Sequence, residues 1–390
     1  MAVPLSYNVR NLLVRRWTSA FTAGGIALVV AATMLLAALV SGLKQMLVSA
    51  GEADNVVVMR KGATNDGSSA VPRDAAQTIR SLTGIARGDG WMPLASPELV
   101  NQPFMRTADG GRENVLVRGV EPVAFDVHRR VKLVAGRLFA PNLGEVVVGV
   151  DAARRYGAGL GRQIQFGRRH WTVVGIFDSG GTAFDSEIWA DVSDIQDDTR
   201  REGYSGVRVK MAPGADVGEL KRRVESDGRF TLEVKPESTY YDEQAESANA
   251  LYILVLTLAG VMGAGATFGA LNTMYAAVAS RTPEIGTLRA LGFGRGSILL
   301  SFLAESLLLA LAGLVSGAVL AGLAIFAVNT LLSGVAFSMM TFTVATVLLS
   351  PSIGGLLLGV AFAGVIGVLG GLGPACRAAH LPVIDALRHA

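Results

Sequence analysis

Cysteine is almost missing from this chain. Cys376 stands alone in 390 residues, so no intramolecular disulfide is possible and any domain in an oxidising compartment rests on its core. Histidine is as sparse. His128, His170, His380 and His389 lie too far apart for metal-ligand spacing, and no metal is expected. Charge is scarce too: 17% of residues, against about 25% in a typical soluble protein, while 51% are hydrophobic. The net charge of +3, with no basic run of five or more, argues against nucleic acid as a partner. Phosphate-binding G-x-x-x-x-G-K-[ST], the G-x-S-x-G elbow and the H-E-x-x-H pair are all absent, so no catalytic residue and no cofactor are expected in this chain.

What the chain has is apolar runs, bunched near the N-terminus and through the last third. Residues 18–43 carry no charge and would rise roughly 39 Å as a helix, enough for an apolar bilayer core of about 30 Å. That run exceeds the h-region of a cleaved signal peptide, so an uncleaved span is expected. A second charge-free run covers 247–280. A third, 297–375, contains one ionisable residue, Glu305, and is too long for a single helix. Ser333-Gly334 and Pro351 divide it into spans at about 297–331 and 352–373.

Segment 335–350 is apolar enough to invite a fifth span, but the arginines argue against it. Arg10, Arg15, Arg16, Arg281, Arg289, Arg295, Arg377 and Arg388 fall in segments that lie on one side if there are four crossings, and 332–352 has no Lys or Arg. That is the positive-inside pattern, with both termini cytoplasmic. Gly265 and Gly269, Gly313 and Gly317, Gly355 and Gly359 recur at four-residue spacing, which lets membrane helices approach closely. Glu305 lies two to three turns inside the third span, where pairing with an interfacial arginine is the expected arrangement.

The expected organisation follows. Residues 1–17 form an amphipathic lead-in helix, 18–49 the first span and stalk, and 50–239 an α+β extracytoplasmic domain. Then come 240–280 as stalk and second span, 281–296 as a short inner helix, 297–331 as the third span and 332–351 as an outer loop. The fourth span, 352–373, and a cytoplasmic tail, 374–390, complete the chain. Within the outer domain, strands are expected at 55–59, 115–120 and 145–149. A hairpin is expected over 163–177, turning at 167–170, and a β-α-β unit over 207–235. Asp178, Asp185, Glu187 and Asp191 read as a solvated loop, since their spacing is not that of a calcium site.

The stretch 280–292 (SRTPEIGTLRALG) carries the most information. Thr282 is expected as N-cap, Pro283 at the first helical position, Glu284 at the positive end of the dipole and Gly292 as the stop. Ile285, Leu288 and Leu291 then form an apolar stripe on the inner face, which needs either the headgroup region or another protein.

Three blocks make the chain resemble the MacB/FtsX/LolC type of ABC transporter permease, the type VII or mechanotransmission superfamily. The first is Asn8 to Arg16 running into Gly25-Ile26-Ala27, with Arg15 and Arg16 at its end. The second is Arg281 to Gly292, like the family's R-x-x-E-I-G-x-L-R-A-L-G coupling helix. The third is Pro374, Arg377, Pro382, Leu387 and Arg388, like its C-terminal signature. The resemblance implies a membrane four-helix domain with a MacB-like periplasmic core domain inserted between the first two spans, in a bacterial inner membrane. It implies that Arg281, Glu284, Ile285, Gly286, Leu288, Arg289, Leu291 and Gly292 serve docking to a separate ATPase subunit that binds ATP and magnesium. It also implies a second permease copy, as homodimer or heterodimer, and admits a periplasmic adaptor or lipoprotein. An exporter or lipoprotein extractor is the expected function. An FtsX-like transmitter activating a cell-wall hydrolase, and a four-span receptor without ATPase, are the alternatives.

Overall fold

A computed structural model of the chain describes residues 5–246, 248–332, 334–338 and 344–382. They fall into two compact units: 5–42, 249–332 and 349–382 make one, and 43–248 with 334–338 and 344–348 the other.

The first unit is helical. Four helices are long and apolar enough to cross a membrane: Arg16–Val48, one within Glu237–Ser280, Arg295–Leu331 and Ile353–His380. Each exceeds the roughly 20 residues that a bilayer core demands. The last begins where Ser352 Oγ accepts the Gly355 N–H at 3.1 Å, an N-cap. It does not stop at Pro374. Pro374 sits buried inside the helix, which continues to His380 at the cost of one backbone hydrogen bond.

The glycine pairs divide by environment. A Cβ on Gly317 would lie 2.6 Å from the Ala27 carbonyl oxygen, and one on Gly313 2.7 Å from Ile26, so Arg295–Leu331 rests directly on the first span. Gly355 and Gly359 meet Ala37, Val30 and Met34 of that same span. A Cβ on Gly265 or Gly269 would meet nothing within 4 Å, so that pair faces open space among the described residues. Gly317→Ala is therefore expected to lower thermal stability in detergent by about 1–3 kcal/mol through overpacking, and Gly269→Ala to leave it unchanged.

The second unit is α+β. Its ten-stranded sheet runs, in spatial order, Leu232–Pro236, Asn55–Arg60, Gly206–Lys210, Ala95–Asn101, Leu116–Val120, Glu187–Asp191, Glu145–Gly149, Arg169–Asp178, Lys132–Gly136, and Gln163–Phe166 also pairs Arg169–Asp178. The Val56-Val57-Val58 run is apolar throughout because both faces of the sheet are covered. Val56 and Val58 join Ala76, Ile79 and Leu220, from helices Arg73–Arg80 and Val217–Glu225. Val57 and Met59 join Trp189, Tyr240 and Tyr241 on the other face.

Three expectations are corrected here. Strands Gly206–Lys210 and Leu232–Pro236 do not touch: Asn55–Arg60 lies between them, antiparallel to both, so the β-α-β unit is split. The hairpin turns on Gly167 and Arg168 alone, with Phe166 opposite Arg169, and Gly167 takes the positive φ of 61° that a tight turn requires. Asp185, Glu187 and Asp191 are buried, not solvated. Asp185 accepts the Ser179 and Gly181 N–H groups, Asp191 caps helix Val192–Thr199, and Glu187 forms an ion pair.

Segment 335–350 makes no helix among its described residues. Val335–Ser338 and Val344–Val347 pair antiparallel in the second unit, where the Thr346 N–H reaches Ser186 Oγ at 3.2 Å.

Behind the sheet lies a charged layer that sequence patterning does not reveal. Arg118 grips Glu187 with two nitrogens at 2.7 and 2.6 Å, and Glu98 with a third at 2.9 Å. Arg208 takes Asp66 bidentately at 2.9 and 2.8 Å, and His128 Nε2 meets the second Glu98 oxygen at 2.8 Å. Glu237, the first residue of helix Glu237–Glu246, is fully buried and accepts the Asn55 side-chain N–H at 3.0 Å. Burial by itself would raise the Glu98 pKa. His128, Arg208 and Arg118 more than reverse that, and hold the carboxyl far below its usual range.

Candidate coupling site

The short inner helix, Thr282–Ala290, follows Ala248–Ser280 after a single hinge residue, Arg281. Thr282 does not cap it: its hydroxyl donates back to the Ala279 carbonyl at 3.0 Å, into the preceding helix. Arg281 holds the cap position, with φ −114° and ψ 16° and no side-chain cap bond. Its guanidinium turns inward and takes Glu305 with two nitrogens, at 2.8 and 3.1 Å, and lies over the Phe302 ring. Both side chains are buried. Glu305 thus has an arginine partner, and the pair fixes the hinge against the third span. The helix ends as expected, with Gly292 at φ 93° after Leu291.

The eight residues expected on this helix do not share one exposed face. Ile285 is 2% exposed and packs with Met274, Val278, Ile298, Phe302 and Ala375, and Gly286 is buried beside it. The apolar stripe therefore splits: Ile285 points into the helical unit, Leu288 is half-buried and Leu291 stands 70% exposed. A nine-residue helix lying on a bundle must bury one side, and Ile285, one turn on from the buried Arg281, with Gly286 supplies it. Arg289 is also occupied. It donates to the carbonyls of Ala379 and Leu381, at 3.2 and 2.8 Å, tying the helix to the end of Ile353–His380. Glu284, Leu291 and Gly292 remain outward.

Two neighbours were not anticipated. The Tyr7 hydroxyl, on helix Leu5–Val14, donates to Glu284 at 2.8 Å. Burial, then the Glu284 hydrogen bond, raises the phenol's pKa, so it remains the donor. Leu12 packs against the cluster around Ile285. Arg15 and Arg16 lie at the join between Leu5–Val14 and Arg16–Val48, away from any acidic partner among the described residues. Pro374 is buried, Arg377 lies over the Tyr275 ring at 5.8 Å and Pro382 is exposed, while Leu387 and Arg388 fall outside the described residues. Among the described residues no group of acidic, histidine or cysteine side chains has the geometry to hold a metal.

Four apolar helices, with a mixed-sheet domain between the first two, define a multi-pass membrane protein. A family model of the MacB-like periplasmic core domain matches residues 19–227, and one of the FtsX-like permease C-terminal domain matches 256–383. The chain belongs to the MacB/FtsX-type ABC transporter permeases.

Similar curated proteins include the macrolide export ATP-binding/permease protein MacB of Bdellovibrio bacteriovorus. It is 26% identical over 300 residues, covering 71% of this chain and 44% of that protein. The MacB of Chlorobium luteolum is 25% identical over 403 residues, covering 94% of this chain and 57% of the other. The chain spans about half the length of the curated relatives it matches. A crystal structure of the periplasmic region of MacB from Actinobacillus actinomycetemcomitans is similar over 48% of this chain and 91% of that one, at 15% identity and a TM-score of 0.39.

Proposed function

We propose that this chain is the permease subunit of an inner-membrane ABC transporter, with both termini cytoplasmic. ATP hydrolysis by a separate ATPase subunit would drive movement of its outer domain for export or extraction of an envelope substrate. The observation that carries the reading is the mounting of helix Thr282–Ala290. It is pinned at one end by Arg281 to Glu305, at the other by Arg289 to Ala379 and Leu381, and it leaves Glu284 and Leu291 outward. A helix fixed at both ends turns as one body with the spans that hold it. A force applied at its outer face therefore reaches the second, third and fourth spans without being lost in a loose loop. The second span continues in sequence towards the outer domain, which is the route for the stroke. A second permease copy would complete the pair that two ATPases require, and ATP with magnesium would reside in those ATPases.

Docking is assigned here to Glu284, Leu291 and the half-buried Leu288, with Ile285, Gly286, Arg281 and Arg289 as the mount. Glu284→Lys and Leu291→Asp are each expected to reduce co-purification of the ATPase about tenfold or more, with the thermal stability of the permease unchanged. Undiminished co-purification in both variants would refute the docking face. An ATPase that never co-purifies with the wild type favours the receptor reading. Substrate-stimulated ATP hydrolysis in liposomes separates a transporter from an FtsX-like transmitter.

A further inference from the structure

The N-terminal segment carries a stripe that the coupling reading leaves unused. Arg10 and Val14, on helix Leu5–Val14, are exposed, and so are Trp17, Phe21 and Leu28, which recur at intervals of four and seven residues on one side of helix Arg16–Val48. The helix is interrupted at Arg15, whose N–H bonds the Asn11 carbonyl at 3.2 Å to close the first helix and whose carbonyl accepts the Ser19 N–H at 3.0 Å to open the second. Phe21 and Leu28 lie within the apolar span, Trp17 near its start with Arg16 next to it, and Arg10 on the helix that precedes it. Apolar side chains followed by tryptophan and then arginine suit the passage from acyl chains through the interface to the headgroup phosphate.

The charge along it is one-sided. No acidic residue precedes Glu52 in the sequence. Of the acidic side chains described in the helical unit, Glu305 is committed to Arg281 and Glu284 to Tyr7. Arg10, Arg15 and Arg16 therefore have no carboxylate partner among the described residues, although Arg118, Arg208 and Arg281 elsewhere in the chain are all paired. Two exposed, unmatched guanidiniums, Arg10 and Arg16, near an exposed tryptophan present a surface complementary to a phosphate whose acyl chains lie along Phe21 and Leu28.

We propose that this face binds anionic phospholipid, with Arg10 and Arg16 at the phosphate and Trp17 at the glycerol level. The inference rests on the first span crossing a membrane and does not depend on the identity of the motor or the cargo.

The test uses the full chain in phosphatidylcholine vesicles containing a minor fraction of phosphatidylglycerol. Either lipid is supplied with dibrominated acyl chains, and the overall composition is held constant. Bromine quenches only tryptophan at the membrane. Of the other tryptophans, Trp171 and Trp189 are buried in the sheet domain and Trp91 is exposed on it, so a Trp17→Phe variant gives the share that belongs to Trp17. Quenching at Trp17 is expected to favour brominated phosphatidylglycerol by about fivefold or more, since each arginine near an anionic surface contributes a factor of about that size. The preference should fall in high salt and approach unity in the Arg10→Gln/Arg16→Gln variant. Equal quenching by the two lipids in the wild type would overturn the proposal. So would a preference insensitive to salt, a reading that holds even if the double variant inserts poorly.

Discussion

Arg118→Ala is expected to unfold the outer domain well below the melting temperature of the wild type. Arg118 is buried and holds Glu187 and Glu98 by three charge-assisted bonds, so its removal leaves two carboxylates in a dry interior. Breaking one side of a buried pair typically costs on the order of 3–5 kcal/mol, a large share of the roughly 5–15 kcal/mol that stabilises a domain. At about 2–4 °C per kcal/mol for a domain of this size, Tm should fall by about 10 °C. Fluorescence of the buried Trp171 and Trp189 reports the loss. Arg118→Met combined with Glu98→Gln and Glu187→Gln should recover part of it, because the uncompensated charge is then gone. A single variant as stable as the wild type would show that the layer contributes nothing.

The same layer sets the acid response. The Glu98 pKa in the folded state lies below its ordinary value of 4.5. Its stabilising contribution is therefore fully present above that value and is lost as pH falls towards the folded pKa. Asp66 shifts the same way: burial opposes the shift, and Arg208 followed by Arg118 drive it. Both contributions are retained from neutral pH down to the ordinary carboxylate range and disappear only below it. Glu98→Gln should flatten the acid limb of stability against pH, and a limb of unchanged slope would remove Glu98 from this account.

The second large effect concerns the hinge. Glu305→Gln keeps the shape of the side chain but leaves the Arg281 guanidinium buried without its counter-charge. A loss of about 3–5 kcal/mol is expected in the helical unit, read as a fall in the melting temperature of the detergent-solubilised protein. Arg281→Lys should also be damaging, because an ammonium cannot reproduce the two-pronged contact. Paired substitution by Arg281→Met and Glu305→Leu should restore much of the stability. If the hinge transmits the proposed stroke, the repaired protein is expected still to co-purify with an ATPase but to show no substrate-stimulated hydrolysis. Full stimulation in the repaired protein would remove the hinge from the mechanism.

Much of the site is readable without coordinates. Pro283, Glu284 and Gly292 mark a short helix, and Glu305 alone in an apolar run asks for an arginine. The errors share one cause. Thr282 has the chemistry of a cap, but the preceding helix offers its carbonyls first, so the hydroxyl turns back to Ala279. Ile285, Leu288 and Leu291 are equally apolar, and only the neighbouring Phe302 and Ile298 decide that Ile285 is the buried one. Glu98, Arg118 and Arg208 occupy the polar side of alternating strands, a pattern that ordinarily means solvent. Here that side is covered by residues such as Tyr240 from Glu237–Glu246, whose fold-back onto the sheet no local pattern announces.

By itself the sequence determined the four spans, the insertion between the first two and the position of the inner helix. These depend on apolar length, caps and charge asymmetry, all properties of contiguous residues. Only the tertiary structure decided which glycines touch the first span, how Arg281 and Arg289 pin the inner helix, and that the acidic residues of the outer domain are buried partners. Those outcomes are pairings between residues distant in the sequence, such as Arg281 with Glu305, Arg208 with Asp66 and Gly313 with Ile26. A pairing of that kind is selected by the cost of leaving a charge or a void inside the fold, and that cost exists only once the chain has closed around it.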